Sequence, residues 1–228
     1  MVLALAFAMS LGLALPASAV TTTWNFSNGS VDTDLGSAGT VFNSTDTLTN
    51  LTAQGFAFNS GGGFAAGDPM NLRQSAEGLG IKGGGTSGCA TNDIDQCAPT
   101  EFLRLLLPTA NWDPISVTLT TSNVDIVNNW EIYGDNDGDF FNGATLLASG
   151  GFTTSLQTIL LGGITPFQFV YIKPPVEADC TDLNCLAGHN DAFRVAHFVG
   201  QVPEPGTLLL LGAGLAGLAG SGFVRRRR

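Results

Sequence analysis

The chain has 228 residues, 44% of them hydrophobic and 12% charged, with a formal net charge of −10. Between Val20 and Val202 the balance is steeper, 18 Asp and Glu against 5 Lys and Arg, because four arginines and Glu204 lie beyond that stretch. A surface of that sign repels phosphate backbones and excludes nucleic acid as a partner, while it suits solubility outside the cell and divalent cations.

The front of the chain, MVLALAFAMSLGLALPASA, is an apolar run broken at Pro16, with small residues at Ala17 and Ala19. That order predicts a signal peptide over residues 1–19 and Val20 as the mature N-terminus, although no basic residue precedes the run. An exported chain of about 180 residues then suits one domain with a sizeable core.

No helical period of useful length follows. Short strand-like runs do: Thr22 to Phe26, Thr47 to Phe58, Phe102 to Leu107, Ile115 to Thr121, Trp130 to Tyr133, Thr145 to Ala148, Leu156 to Leu161, Phe167 to Ile172 and Phe193 to Val199. Gly, Pro, Asn and Asp lie between them. Eight or nine strands without β-α alternation predict an all-β, antiparallel β-sandwich or jelly roll over residues 20–201. Two long segments, Asn59 to Thr100 and Lys173 to Asp191, read as loops that need staples. Each holds two cysteines, Cys89 and Cys97 in one, Cys180 and Cys185 in the other. Four cysteines in an exported chain predict disulfides; of the three pairings, the local ones, Cys89 with Cys97 and Cys180 with Cys185, close the shortest loops. A zinc site drawing on His189 is the alternative, but the spacings do not match a C-x₂-C knuckle.

Asp135-Asn136-Asp137-Gly138-Asp139 sets three carboxylates at alternate positions, a pattern that can converge on Ca²⁺. The EF-hand match fails at Phe140 and Leu146, so the competing reading is an acidic hairpin loop turned at Asn142-Gly143. By analogy with lectin-like sandwiches, Asp191, just ahead of the last strand, is a second candidate calcium ligand against the first strand at Trp24-Asn25-Phe26; Asp95 and Glu101 are candidate partners from the long loop, with plain surface carboxylates as the competing reading. For sugar stacking, Trp112 lies in the turn Asn111-Trp112-Asp113-Pro114 and is the candidate expected at the surface. Trp130, Tyr133 and Tyr171 are further candidates, with the core as the competing place for Trp130, Phe167, Phe169 and Tyr171. No nucleophile elbow, zinc-protease helix or phosphate loop is present, and no pair of carboxylates stands out for glycoside hydrolysis. The catalytic set is therefore empty, with a secreted hydrolase as the distant alternative.

The end of the chain, residues 202–228, reads VPEPGTLLLLGAGLAGLAGSGFVRRRR. Pro203-Glu204-Pro205 breaks the chain ahead of Thr207 to Val224, 18 residues without a charge and long enough as a helix to span a bilayer core. Arg225, Arg226, Arg227 and Arg228 hold its far end on the cytoplasmic side, leaving the preceding domain outside. The three parts in this order resemble the PEP-CTERM sorting signal of Gram-negative bacteria. That resemblance implies recognition of Pro203-Glu204-Pro205 by an exosortase, a membrane stage before processing, and a destination at the cell surface or in the extracellular matrix of a biofilm. More diffusely, Gly78 to Ile81, Asn92 to Asp95, the run from Glu101, Trp130 to Gly150 and Asp191 to Gly200 are similar to sandwich domains found ahead of such tails. The expected protein is thus an exported structural or binding component, with an exopolysaccharide-binding module as the alternative.

Overall fold

Runs in which apolar residues alternate with Thr, Ser, Gln or Arg fold as extended strands. Every second side chain leaves water while the backbone pairs with a neighbour. The computed structural model describes residues 19–27, 32–57, 68–82, 93–95, 100–109, 112–121, 129–140, 143–162, 166–175 and 192–202. The chain divides into Thr21–Gln201 and a second unit made of Met1–Val20 with Val202–Arg228. Residues 1–18, Cys89, Cys97, Cys180, Cys185, His189, Asp191, Pro203 to Pro205, the expected anchor and Arg225 to Arg228 lie outside the described residues.

Among the described residues the fold is all strand. The strands are β1 (Val20–Asn25), β2 (Thr33–Gly36), β3 (Thr40–Asn43), β4 (Asn50–Ala57), β5 (Asp68–Met70), β6 (Leu72–Ser75), β7 (Gly78–Ile81) and β8 (Ile94–Asp95). They continue with β9 (Glu101–Leu106), β10 (Asp113–Thr120), β11 (Asn129–Asp135), β12 (Thr145–Gly151), β13 (Leu156–Leu160), β14 (Phe169–Lys173) and β15 (Ala192–Val202). One sheet runs β13-β10-β15-β7-β6-β2, with β1 and β8 also bonded to β15. The other runs β12-β11-β14-β9-β4-β3, with β5 bonded to β4. The pairings are antiparallel. This is the expected antiparallel sandwich class.

The expected loop Asn59 to Thr100 is a correction. It contains β5, β6, β7 and β8, and β6 and β7 form a hairpin across Ala76-Glu77. Strands of two to four residues are too short to display a period, so a pattern of alternation misses them. The same holds for β2 and β3. At the hairpin, Gly78 has φ +129° and approaches β15 so closely that a Cβ there would lie 2.3 Å from the Val195 carbonyl oxygen. Only glycine fits that contact.

The core lies between the sheets. Leu72, Leu79, Ile81, Val117, Leu119, Val195 and Phe198 bury from one side, and Leu51, Ala53, Leu103, Leu105, Ile132, Val170 and Ile172 from the other. Gly55 leaves room for the Ile81 side chain across the gap. At one end Trp24 packs edge-on to Trp112, with ring centroids 5.2 Å apart, and tilts against Phe198. Trp112 is 2% exposed. The expectation that it stands at the surface is therefore corrected: its carbonyl accepts the Phe167 N–H (2.9 Å), and this bridge turns the ring into the core.

Candidate functional site on the outer face of the seven-stranded sheet

Strand parity decides which residues reach the outer face. In β9, Leu103 and Leu105 enter the core, so Phe102, Arg104 and Leu106 point the other way. In β14, Val170 and Ile172 enter the core, so Phe169, Tyr171 and Lys173 share the outer face. The same rule places Gln54 and Phe56 of β4, and Glu131, Tyr133 and Asp135 of β11, beside them. Strand register then assembles rows. Gln54 pairs with Arg104, Arg104 with Tyr171, and Tyr171 with Tyr133. On one side of that row Phe56 pairs with Phe102, and Glu131 with Lys173. On the other, Thr52 pairs with Leu106, Leu106 with Phe169, and Phe169 with Asp135.

The face is unusually apolar and ionic for the solvent side of a sheet. Phe56, Phe102 and Tyr171 are buried, and Tyr133, Phe140 and Phe169 pack against them. Phe140 comes from the loop after β11. Its ring centroid lies 4.9 Å from Tyr133, 5.1 Å from Tyr171 and 6.3 Å from Phe102. The Arg104 guanidinium lies 4.7 Å from the Phe56 ring centroid and 5.6 Å from that of Phe169, within cation–π range. Arg104 Nη2 donates to Gln54 Oε1 (2.8 Å), and Gln54 Nε2 donates to the Ser37 carbonyl (3.2 Å).

A second polar group lies beside it. Lys173 is 5% exposed and donates to the Glu131 carboxylate and to the Pro174 carbonyl (3.1 Å). Tyr133 Oη donates to the same Glu131 carboxylate (2.9 Å), and the Lys173 ammonium lies 5.5 Å from the Tyr133 ring centroid. Burial pulls the Lys173 ammonium below its usual range, while the bond to Glu131 opposes that shift. Burial first, then the bond to the Glu131 carboxylate and its charge, push the Tyr133 phenol up to about 12. Tyr171 is 1% exposed, and its phenol is also pushed up to about 12, by burial and then by the Asp135 charge, with Arg104 opposing. The Tyr171 hydroxyl meets no hydrogen-bond partner among the described residues.

The acidic loop forms the rim of this face, in a β11–β12 hairpin. Asp135 Oδ2 accepts the Gly138 N–H (2.7 Å) and Asp137 Oδ1 accepts the Asp139 N–H (2.8 Å). Asn136 Oδ1 accepts the Gln168 N–H (2.9 Å) and fastens the loop to the entry of β14. The alternating carboxylates therefore cap their own turn. Among the described residues no three His, Cys, Asp or Glu side chains are placed together as a metal-binding group. Of the second calcium set, Glu101 is buried at the start of β9, and the Asp95 backbone pairs with Ala192, next to Asp191 in sequence.

Parity, not residue type, hid this face in the sequence. Phe169 and Tyr171, for which the core was the competing place, lie opposite it, while Trp130 does face the core. FLRLLL and FVYIK carry large apolar residues on both faces, so alternation is invisible. The available signal was the lone charge in each run, Arg104 and Lys173, which marks the outward parity.

No curated protein matches the chain. Among solved structures, it is similar to the family 32 carbohydrate-binding module of Clostridium perfringens NanJ in complex with galactose. Identity is 13% over 76% of this chain and 100% of that one, with a TM-score of 0.33. It is also similar to a family 29 carbohydrate-binding module from Piromyces equi, at 8% identity, 82% and 92% coverage and a TM-score of 0.34. A third is the K1 cleaved adhesin domain of Lys-gingipain from Porphyromonas gingivalis, at 13% identity, 82% and 99% coverage and a TM-score of 0.35. Superpositions this loose carry no weight, and the sandwich rests on its own strand pairing. A family model, the PEP-CTERM protein-sorting motif, matches residues 201–228. The chain carries a PEP-CTERM sorting motif and is exported across the inner membrane to the cell surface or the extracellular space.

Proposed function

We propose that the protein is a binding component of the cell surface or extracellular matrix, and that its sandwich holds carbohydrate on the outer face of the seven-stranded sheet. One observation carries this reading. Register rows across β4, β9, β14 and β11 collect aromatic rings and planar hydrogen-bonding groups on the face that points away from the core. Sugars offer C–H faces to rings and hydroxyls to amide, guanidinium, carboxylate and phenol groups, so such a mixture suits them. The two carboxylates that the rows place there, Glu131 and Asp135, are engaged by Lys173 and Tyr133 and by the Gly138 amide. That engagement favours binding over hydrolysis, which needs two carboxyl groups poised across a bond. The sorting motif brings an exosortase as processing partner, and exopolysaccharide is the ligand class nearest the destination.

The test is a glycan array probed with the full chain in detergent micelles, alongside Tyr133→Ala, Phe140→Ala and, as control, Leu160→Ser on the exposed edge strand β13. Both outer-face substitutions should weaken binding about tenfold or more, while the control leaves it unchanged. Failure to bind any glycan, or equal loss in the control, would overturn the reading.

A further inference from the structure

Five basic side chains lie between Val20 and Val202: Arg73, Lys82, Arg104, Lys173 and Arg194. Lys82 pairs with Asp34, Lys173 with Glu131, and Arg194 with Glu77 and Asp93. Arg104 makes no ion pair among the described residues, although acidic side chains outnumber basic ones more than three to one in this stretch. Its position is nevertheless fixed. Gln54, itself anchored on the Ser37 carbonyl, takes one of its five N–H groups, and the rings of Phe56 and Phe169 flank the guanidinium. Its neighbour in the register row, Tyr171, is buried and carries no charge at neutral pH. Among the described residues this guanidinium is thus held in place between two aromatic rings without a counter-ion.

Resting on the carbohydrate reading above, we propose that the outer face takes an acidic sugar, a uronate whose carboxylate docks on Arg104. The planar fork of arginine matches a carboxylate through two parallel N–H···O bonds. One cation balances one monoanion, whereas a phosphate dianion would bring excess negative charge into an acidic domain. The carboxylates already on this face set the direction of the ligand. Glu131 and Asp135 repel its acid group toward the Arg104 end of the row, and the neutral part of the ring extends toward Tyr133 and Phe140.

The experiment is calorimetric titration of the full chain in detergent micelles, with EDTA present. The probes are trisaccharides of galacturonate, glucuronate and mannuronate, each beside its carboxyl-reduced neutral counterpart. At least one acidic probe should bind tenfold or more tighter than its counterpart, and the difference should shrink with added salt. Arg104→Gln should abolish the preference and leave the neutral affinity in place, and Arg104→Lys should retain part of it. Equal affinity within every pair would overturn the acidic-sugar inference while leaving the carbohydrate reading standing. No binding in any pair would remove the acidic-sugar inference, and silence on the glycan array as well would remove both. The wild-type comparison decides the matter even if a variant folds poorly.

Discussion

Tyr171 shows how one side chain can cost stability and still be kept. Its buried hydroxyl has no partner among the described residues, and such a group carries a penalty of about 1–3 kcal/mol. Tyr171→Phe is therefore expected to hold or raise Tm at pH 7. A marked fall in Tm would show that the hydroxyl is structural. The same phenol governs the alkaline limb. Its folded pKa of about 12 lies above the ordinary 10.0, so its contribution is whole below pH 10 and is lost as pH climbs through 12. Tyr133 acts in the same direction. Lys173 acts in the opposite one: its folded pKa lies below 10.5, so stability is gained as the buried ammonium sheds its proton in that range. Denaturation curves from pH 9 to 12 should show Tyr171→Phe losing less stability than the wild type, by ~2 kcal/mol. Parallel curves would refute the assignment. At the acidic loop, Asp135 and Asp137 already accept amide N–H groups. Melts in EDTA and in millimolar Ca²⁺ should therefore differ equally in the wild type and in Asp137→Asn; a shift lost in the variant would place a cation at this loop instead.

At the scale of elements, the hairpin of β6 and β7 depends on one glycine. Gly78→Ala must accept both a left-handed φ and a Cβ driven into the Val195 carbonyl. A loss of about 3 kcal/mol is expected, or roughly 6–12 °C in Tm for a domain of this size. Gly36 also has positive φ (+78°) but nothing within 4 Å of its would-be Cβ, so Gly36→Ala should cost only about 1 kcal/mol. Equal effects would mean that conformation, not the contact with β15, sets the requirement. Elements were legible where a run was long enough to repeat. β1, β4, β9 to β15 all fall on strand-like runs read from the sequence, whereas β5 to β8 lie inside what reads as a loop. LRQS and GLGI are each one pairing long, and nothing local distinguishes them from a turn. The pairing of β6 with β2 and of β7 with β15 supplies the missing information, and it comes from across the chain.

For the whole molecule, the destination was far easier to read than the binding face. The sorting motif is contiguous, so its three parts stand in order in the sequence. The candidate site is not. Gln54, Arg104, Tyr171 and Tyr133 come from four separated strands, and only register sets them in a row. Delivery can be tested independently of binding. Deleting Pro203 to Pro205 should leave uncleaved protein in the inner-membrane fraction, with its glycan binding unchanged once extracted. Normal appearance at the surface would contradict the sorting role of those residues.

The position of β15 has a kinetic meaning. This strand, next to last in the order of synthesis only to the sorting tail, sits inside its sheet, bonded to β10 and β7 and also to β1 and β8. The Phe26 N–H at the start of the chain donates to Ala196 near its end. Until residue 202 has emerged, that sheet lacks its middle, and the partners waiting for it have no one to pair with. That sheet therefore cannot close until the end of the domain has been made, and closure over such long sequence separations falls in the slow, millisecond-to-second regime. The last segment to cross before the tail is the one that locks the fold.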